Sequence, residues 1–340
     1  MMFRVFSGMR PTGRLHLGHM AGALTNWVAL QEENECYYSI VDWHALMSDY
    51  ADPSRLRGNS IEVLLDWLAV GLDPEKCAIF IQSHVKEHIE LHMVLSMIAP
   101  LGWLERNPTY KEQILNLQNK DLSTYGFLGY PVLMASDILV YKSHRVPVGE
   151  DQTAHLELSR ELARRFNSFY ATCGEIFPEP EIMLTHHPKI PGTDGRKMSK
   201  SYGNALEIAD EIPVLDKKIR TMKTDPARER RTDKGEPDKC PVWDLQKFFN
   251  PDRGQLDDLA HGCRTAGIGC VDCKKALIAH VAEHMAPIHE RRKRFESRRD
   301  DLADILSDGA KKASARASET MSEVYDALGM LKADGPGRPD

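Results

Sequence analysis

Apolar and polar positions fall into short repeating blocks over roughly the first two hundred residues. Residues 3–8 form a β-prone run closing on glycine, residues 10–14 supply a turn, and an apolar-periodic stretch begins near His16, which spells strand, loop, helix. A second strand fits residues 36–41, a helix covers 61–70, a third strand fits 78–82, and extended β-branched stretches recur within 138–148. Strands alternating with helices predict a parallel α/β sheet. Ligands of such sheets bind beyond the carboxyl ends of the strands, where Ser7-Gly8-Met9 and Val41-Asp42-Trp43-His44 fall. Residues 87–129 are too long for a plain crossover, and Leu91, Val94, Leu95 and Ile98 stand at helical spacing, so a helical insertion is expected there. From about residue 207 the pattern turns to charged, helix-favouring sequence, broken by a Pro/Gly/charge stretch over 228–241. The expected division is an α/β catalytic domain over 1–206, with its insertion at 87–129 and a mobile loop at 191–204. A smaller, mostly helical domain over 207–334 and a disordered tail over 335–340 follow.

Composition narrows the class without changing that picture. The 340 residues are 42% hydrophobic and 28% charged, ordinary for a globular chain, and no apolar run reaches the ~18 residues of a membrane span. The first residues lack the apolar core and cleavage site of a secretory signal, so a cytoplasmic location is expected. A net charge of −6 excludes a chain that is basic throughout but leaves room for a basic face. Of seven cysteines, Cys36, Cys77 and Cys173 are scattered while Cys240, Cys263, Cys270 and Cys273 are grouped, which is not a secreted disulfide framework.

Two segments carry candidate chemistry. His16-Leu17-Gly18-His19 opens the first helix, where two imidazoles meet the positive end of a helix dipole and a glycine admits close backbone approach. Some 180 residues downstream, Lys197-Met198-Ser199-Lys200-Ser201 follows a Gly/Pro-rich approach. Ammonium groups there can stabilise charge gathering on a departing pyrophosphate. No Gly-Lys dipeptide occurs, so there is no P-loop.

HLGH with KMSKS resembles the paired signature of class I aminoacyl-tRNA synthetases, which implies a Rossmann-like catalytic domain followed by a helical, tRNA anticodon-binding domain. Residues 6–13, 133–139 and 146–152 resemble the tryptophanyl branch. The resemblance implies ATP-dependent formation of Trp-adenylate and transfer of tryptophan to tRNA(Trp), with Mg²⁺ accompanying the nucleotide. It assigns catalysis to His16, His19, Lys197 and Lys200. It places Arg10, Thr12, Gly18, His19, Gly149, Glu150, Asp151, Lys197, Met198, Ser199, Lys200 and Ser201 around ATP. The amino acid would be held by Asp137, accepting from the indole N–H, among Phe6, Val41, His44, Met134, Ile138, Val146 and Val148, with Tyr130 and Gln152 at its amino group. Read without the resemblance, 133–139 is an amphipathic helix with Asp137 on its wet face or capping it. Arg10 departs from the pattern, standing where many bacterial members carry a Gln that reaches the ligand; a guanidinium there can meet a carboxylate or a phosphate. Tyrosyl specificity, another HxGH nucleotidyltransferase, and a synthetase-like paralogue that binds RNA or senses iron–sulfur status without charging tRNA are the alternatives. A homodimer formed through 87–129 is implied by the family.

The spacing Cys240-x22-Cys263-x6-Cys270-x2-Cys273 suits either a closed tetrahedral Zn²⁺ site or a [4Fe–4S] cluster. It resembles the pattern of a bacterial subset of tryptophanyl enzymes that hold [4Fe–4S], which implies iron–sulfur in a structural role. Nearby Arg220, Lys223, Arg228, Arg230 and Arg231, and later Arg291-Arg292-Lys293-Arg294 and Arg298-Arg299, are candidates for reading phosphates, or solvated helix faces.

Overall fold

The computed structural model describes residues 2–108, 110–111, 122–149, 152–172, 174–184 and 190–331. Five strands, β1 (Arg4–Met9), β2 (Glu35–Ile40), β3 (Cys77–Ile81), β4 (Arg145–Val148) and β5 (Glu181–Leu184), form one parallel sheet in the order β3-β2-β1-β4-β5. The first three lie within a residue or two of their expected positions. Only the end of 138–148 is extended, because residues 138 and 139 close a helix. Alternation along the strands divides the interior: Val5, Tyr38, Ile40 and Ile79 point to one core, Phe6, Tyr37 and Phe80 to the other.

The chain leaves β1 through α1 (Leu17–His19), a π-helical turn at Met20–Leu24 and α2 (Thr25–Leu30), then reaches β3 through α3 (Asp42–Asp49) and α4 (Leu56–Val70). Next come α5 (Glu87–Ile98), α6 (Leu101–Glu105), α7 (Tyr125–Leu128) and α8 (Tyr130–Leu139), then β4, α9 (Thr153–Tyr170) and β5. Part of the expected 87–129 insertion lies outside the described residues, as does the 335–340 tail. The first connections build the sheet on one side of β1 and the later ones on the other, so the switch point falls between β1 and β4.

After residue 206 the described regular elements are all helical: α10 (Ile212–Arg220), α11 (Pro241–Phe249), α12 (Arg253–Arg264), α13 (Cys270–Glu296) and α14 (Arg299–Ala327), with one 3-10 turn. These helices share the core of the sheet. Leu277, Val281, Met285 and Ile288 of α13 join one cluster. Along α14, Leu302 and Leu306 join the same cluster while Ala313, Ala317, Met321 and Val324 join the other, so this helix runs past the β3 edge from one face to the other. Gly309 makes that passage possible, since a Cβ there would collide with the carbonyl oxygen of Ile79.

Candidate functional site

At the switch point a cavity of about 440 Å³ opens between β1, β4 and α8. It is lined by Phe6, Val41, His44, Tyr130, Met134, Asp137, Ile138, Val146, Val148 and Gln152, together with Arg10 and Gly149. All ten residues expected around the amino acid therefore meet at one place. Ser7, Gly8 and Met9 at the end of β1 also line it, as the strand-end position implies, and so does Trp27, which carried no sequence signal. A Cβ on Gly8 would come within 2.7 Å of Val41 Cγ1, so this floor requires glycine. A larger cavity of about 910 Å³ lies between α4, β3 and α14 and contains none of the expected site residues.

Asp137 is 1% exposed, which removes the wet-face reading of 133–139. Its Oδ1 accepts from Gln82 Nε2 at 2.7 Å and from His88 Nδ1 at 2.6 Å, and its Oδ2 accepts from His44 Nε2 at 2.8 Å. His88 is pinned in turn by the Tyr141 hydroxyl at 2.7 Å from its Nε2. Burial pushes the Asp137 carboxyl up, but hydrogen bonds and charge from His44 and then His88 carry it down to about 2. It is an ionised acceptor at neutral pH. Gln82, His88 and Tyr141 were missed, although His88 left a signal: it sits three residues before Leu91 on the apolar stripe of α5, a polar side chain where only apolar ones should fit.

Beside this cavity the two signatures are stitched together. His16 pairs with Glu207 in an isolated antiparallel bridge, Leu17 N donates to Leu206 O at 2.8 Å, and Ile208 N donates to Leu15 O at 2.9 Å. The His16 and His19 rings stack with centroids 3.7 Å apart. Burial, helped by Lys200, lowers His16 to about 4; burial, helped by His16 and Lys200, lowers His19 to about 3. Both imidazoles are thus neutral near pH 7. His16 Nδ1 is buried without a hydrogen-bond partner among the described residues. A Cβ on Gly18 would stand 2.9 Å from that nitrogen and 3.7 Å from Met198 Cβ, so this glycine is where the two loops touch.

KMSKS is organised by Asn204, which sequence reading did not single out as a site residue. Asn204 is buried; its Oδ1 accepts from Ser199 N at 2.8 Å and its Nδ2 donates to Asp194 Oδ1 at 2.7 Å and to Lys197 O at 3.2 Å. Met198 drops into the core, Ser199 and Ser201 hydroxyls pair at 2.9 Å, and Lys200 Nζ donates to the carbonyl of Thr12. Glu150 and Asp151 lie outside the described residues.

The four grouped cysteines come from the N-cap of α11 (Cys240), the last turn of α12 (Cys263) and the first turn of α13 (Cys270, Cys273). Cys273 lies within electrostatic reach of the other three, and burial raises its thiol to about 11. Gln246 Nε2 faces Cys273 Sγ at 3.5 Å, and Arg228 Nη1 faces Cys263 Sγ at 3.6 Å. Among the described residues, no group of three or more His, Cys, Asp or Glu side chains is gathered as a metal ion needs. Several arginines offered as phosphate readers point inward instead. Arg228 is buried and donates to the carbonyls of Arg231 and Ile268, Arg291 donates to the carbonyl of Ala69 at 2.6 Å, and Arg292 is buried against Asp66 and Glu62. Buried or capping guanidiniums are spent on the fold; Arg230, Arg231, Arg294, Arg298 and Arg299 stay exposed.

Comparison with known proteins shows the family and the fold. The family described as "tRNA synthetases class I (W and Y)" matches residues 1–286. The tryptophan--tRNA ligase of Thermotoga maritima is 51% identical over 329 residues, covering 96% of this chain and 99% of that one. The Aquifex aeolicus tryptophan--tRNA ligase is 43% identical over 396 residues, covering 96% and 100%. The crystal structure of a Campylobacter jejuni tryptophanyl-tRNA synthetase complexed with ADP and tryptophan superposes with a TM-score of 0.85 at 34% identity, covering 96% of this chain and 100% of that one. The chain belongs to the class I tRNA synthetases of the tryptophan and tyrosine family, and within it to the tryptophan--tRNA ligases.

Proposed function

We propose that the 440 Å³ cavity holds tryptophan with its indole N–H on Asp137 Oδ2. One observation carries this reading. A carboxylate has about four lone-pair sites, and among the described residues three are taken, by His44, Gln82 and His88, with His44 alone on Oδ2. The remaining site is an acceptor in an otherwise apolar slot of Phe6, Val41, Met134, Ile138, Val146 and Val148, which suits a ring whose nitrogen only donates. Arg10 and Gln152 at the same cavity suit the carboxylate and amino group.

The tryptophan carboxylate attacks the α-phosphorus of ATP, forming the acyl–phosphate bond as the bond to pyrophosphate breaks. The ribose hydroxyl at the tRNA terminus then attacks the acyl carbon and AMP leaves. His16 and His19, neutral, serve the phosphates and ribose as hydrogen-bonding groups, with His16 Nδ1 available. Lys197 and Lys200, with the Ser199 and Ser201 hydroxyls, meet the leaving pyrophosphate, and Gly18 lets the nucleotide approach the backbone. Thr12, Gly149, Glu150 and Asp151 complete the adenosine side. Mg²⁺ supplies charge neutralisation on the phosphates when bound. Pyrophosphate exchange with each amino acid tests the assignment. Tryptophan alone should support it; absent exchange with tryptophan, or faster exchange with tyrosine, overturns it.

The cysteine quartet is proposed to hold a [4Fe–4S] cluster that pins the loops around α11 and α12. What supports it is an all-thiol donor set under mutual electrostatic influence, faced by Arg228 and Gln246, with the Lys274 ammonium in electrostatic reach, which suits anionic sulfur. Iron content and visible absorbance after anaerobic purification test it; colourless protein with stoichiometric zinc refutes it. A homodimer is proposed through α5 and α6, where Met93, Met97 and Leu101 are 56%, 70% and 59% exposed. Light scattering giving a monomer mass sinks that reading. A cytoplasmic location is proposed because tRNA is charged for translation there. Among the described residues no helix is long and apolar enough to cross a membrane.

A further inference from the structure

Arg291 and Arg292 belong to a basic run that invites a nucleic-acid reading, yet α13 turns them inward onto α4, and Arg292 and His289 each hold a residue that grips the entry to HLGH. Arg292 is 4% exposed; its Nη1 donates to Asp66 Oδ1, and its Nη2 donates to Glu62 Oε2 at 2.6 Å. Asp66, fully buried on α4, uses its other oxygen to accept from the backbone N–H of Leu15 at 2.7 Å, one residue before HLGH. One turn earlier on α13, His289 Nε2 donates to the carbonyl of Ile208 at 3.0 Å. Ile208 is the residue whose N–H holds Leu15 O at 2.9 Å. The segment entering HLGH is thus fixed on its N–H by Asp66 and on its carbonyl by Ile208, and α13 grips both of those partners. Arg14 Nε, donating to the same Glu62 oxygen at 3.0 Å, ties the preceding residue into the set.

We infer that His289 and Arg292 are positioning residues for adenylate formation, holding the HLGH entry and the KMSKS exit in fixed register from the distal helical region. Neither touches the amino-acid cavity, whose lining is drawn from β1, β4, α8 and their neighbours. Loosening the clamp shifts His16, His19 and Lys200 relative to one another while leaving tryptophan's own contacts in place. Misplacement of reacting groups by about 1 Å can cost roughly 100-fold in rate. The loss should therefore fall on kcat.

Pyrophosphate exchange, normalised to active sites by the adenylate burst, is measured for His289→Leu, His289→Gln, Arg292→Gln and Arg292→Lys in the full chain. His289→Leu and Arg292→Gln are expected to lower kcat about tenfold or more with tryptophan KM within about twofold. His289→Gln keeps an N–H donor and Arg292→Lys a cation for Asp66, so each should recover most of the loss. His289→Leu removes a single half-buried hydrogen bond and keeps the test open should Arg292→Gln not fold. A kcat per active site within twofold of the parent for His289→Leu, even with a lower melting temperature, overturns the inference; so does a parallel rise in tryptophan KM. The inference rests on the proposed roles of HLGH and KMSKS. Unchanged exchange in His19→Ala would sink those roles, whereas normal exchange in the α13 variants sinks only the clamp.

Discussion

Replacing Asp137 by Asn tests the amino-acid site most directly. Alanine is the wrong probe, because His44, Gln82 and His88 all direct buried donors at this carboxylate, and leaving buried donors without an acceptor costs about 1–3 kcal/mol each. Asparagine keeps an oxygen for Gln82 and His88 and puts an NH₂ where Oδ2 stood. His44 must then donate from Nδ1, which is buried with no partner among the described residues, at a cost of about 1–3 kcal/mol. For the substrate the change is sharper, since the fourth acceptor site becomes a donor facing the indole N–H. Losing one hydrogen bond to a charged group is worth about 1.5–3 kcal/mol, or roughly 10- to 150-fold in kcat/KM for tryptophan. Exchange kinetics with tryptophan varied at saturating ATP should show that loss with the KM for ATP unchanged. A tryptophan analogue with sulfur in place of the ring N–H should already be poor for the parent and lose little more in Asp137→Asn, because the two changes remove one interaction. Full, additive losses from both, or an Asn variant that uses tryptophan normally, would show that the indole nitrogen does not meet Asp137.

Three further outcomes follow from the geometry. The folded His16 and His19 take up protons near 4 and 3 while unfolded histidine does so near 6.5, so stability is full above about 6.5 and falls as pH drops toward 4, His16 alone losing about 3 kcal/mol; a His16→Gln chain should show a shallower acid slope in thermal melts, and an identical slope refutes the assignment. Lys200→Ala should lower exchange kcat by roughly 100-fold with tryptophan KM little changed, as expected of charge placed on a departing pyrophosphate; a rise in KM at constant kcat would mean ground-state binding only. Gly309→Ala drives a methyl group into the Ile79 carbonyl and should cost about 1–3 kcal/mol or more, read as a lower melting temperature; an unchanged melt would mean that α14 does not sit against β3.

The elements legible in the sequence were those specified locally. Residues 3–8, 36–41 and 78–82 became β1, β2 and β3 because β-branched and aromatic runs ending in glycine or turn residues fix strand and face together. β5 (Glu181–Leu184) escaped, being four residues with little burial and no apolar alternation to announce it. The cavity wall was legible only through resemblance, since nothing in the periodicity of 133–139 separates a buried acid from a wet one. What separates them is a set of donors at 44, 82 and 88, brought from α3, the turn after β3 and α5 by the fold. Long-range polar pairing of this kind leaves no mark on local spacing beyond the misplaced His88.

The charged run at 291–294 is likewise set by long-range packing and not by its local count of charges. On a helix, consecutive residues point in directions about 100° apart, so four adjacent basic residues cannot share one surface. Two of them had to face whatever the helix packs on, and α13 packs on α4, whose Asp66 and Glu62 are the acids that make a buried guanidinium tolerable. A basic cluster on a helix that also carries the apolar positions Val281, Met285 and Ile288 is therefore better read by angle than by count. Arg292 follows Ile288 by four residues and Met285 by seven, on the apolar stripe, while Arg294 falls off it. Angle alone places Arg292 inside, and an interior arginine implies a carboxylate opposite it. That carboxylate is Asp66, and its second oxygen leads to the backbone of Leu15 at the entrance to HLGH.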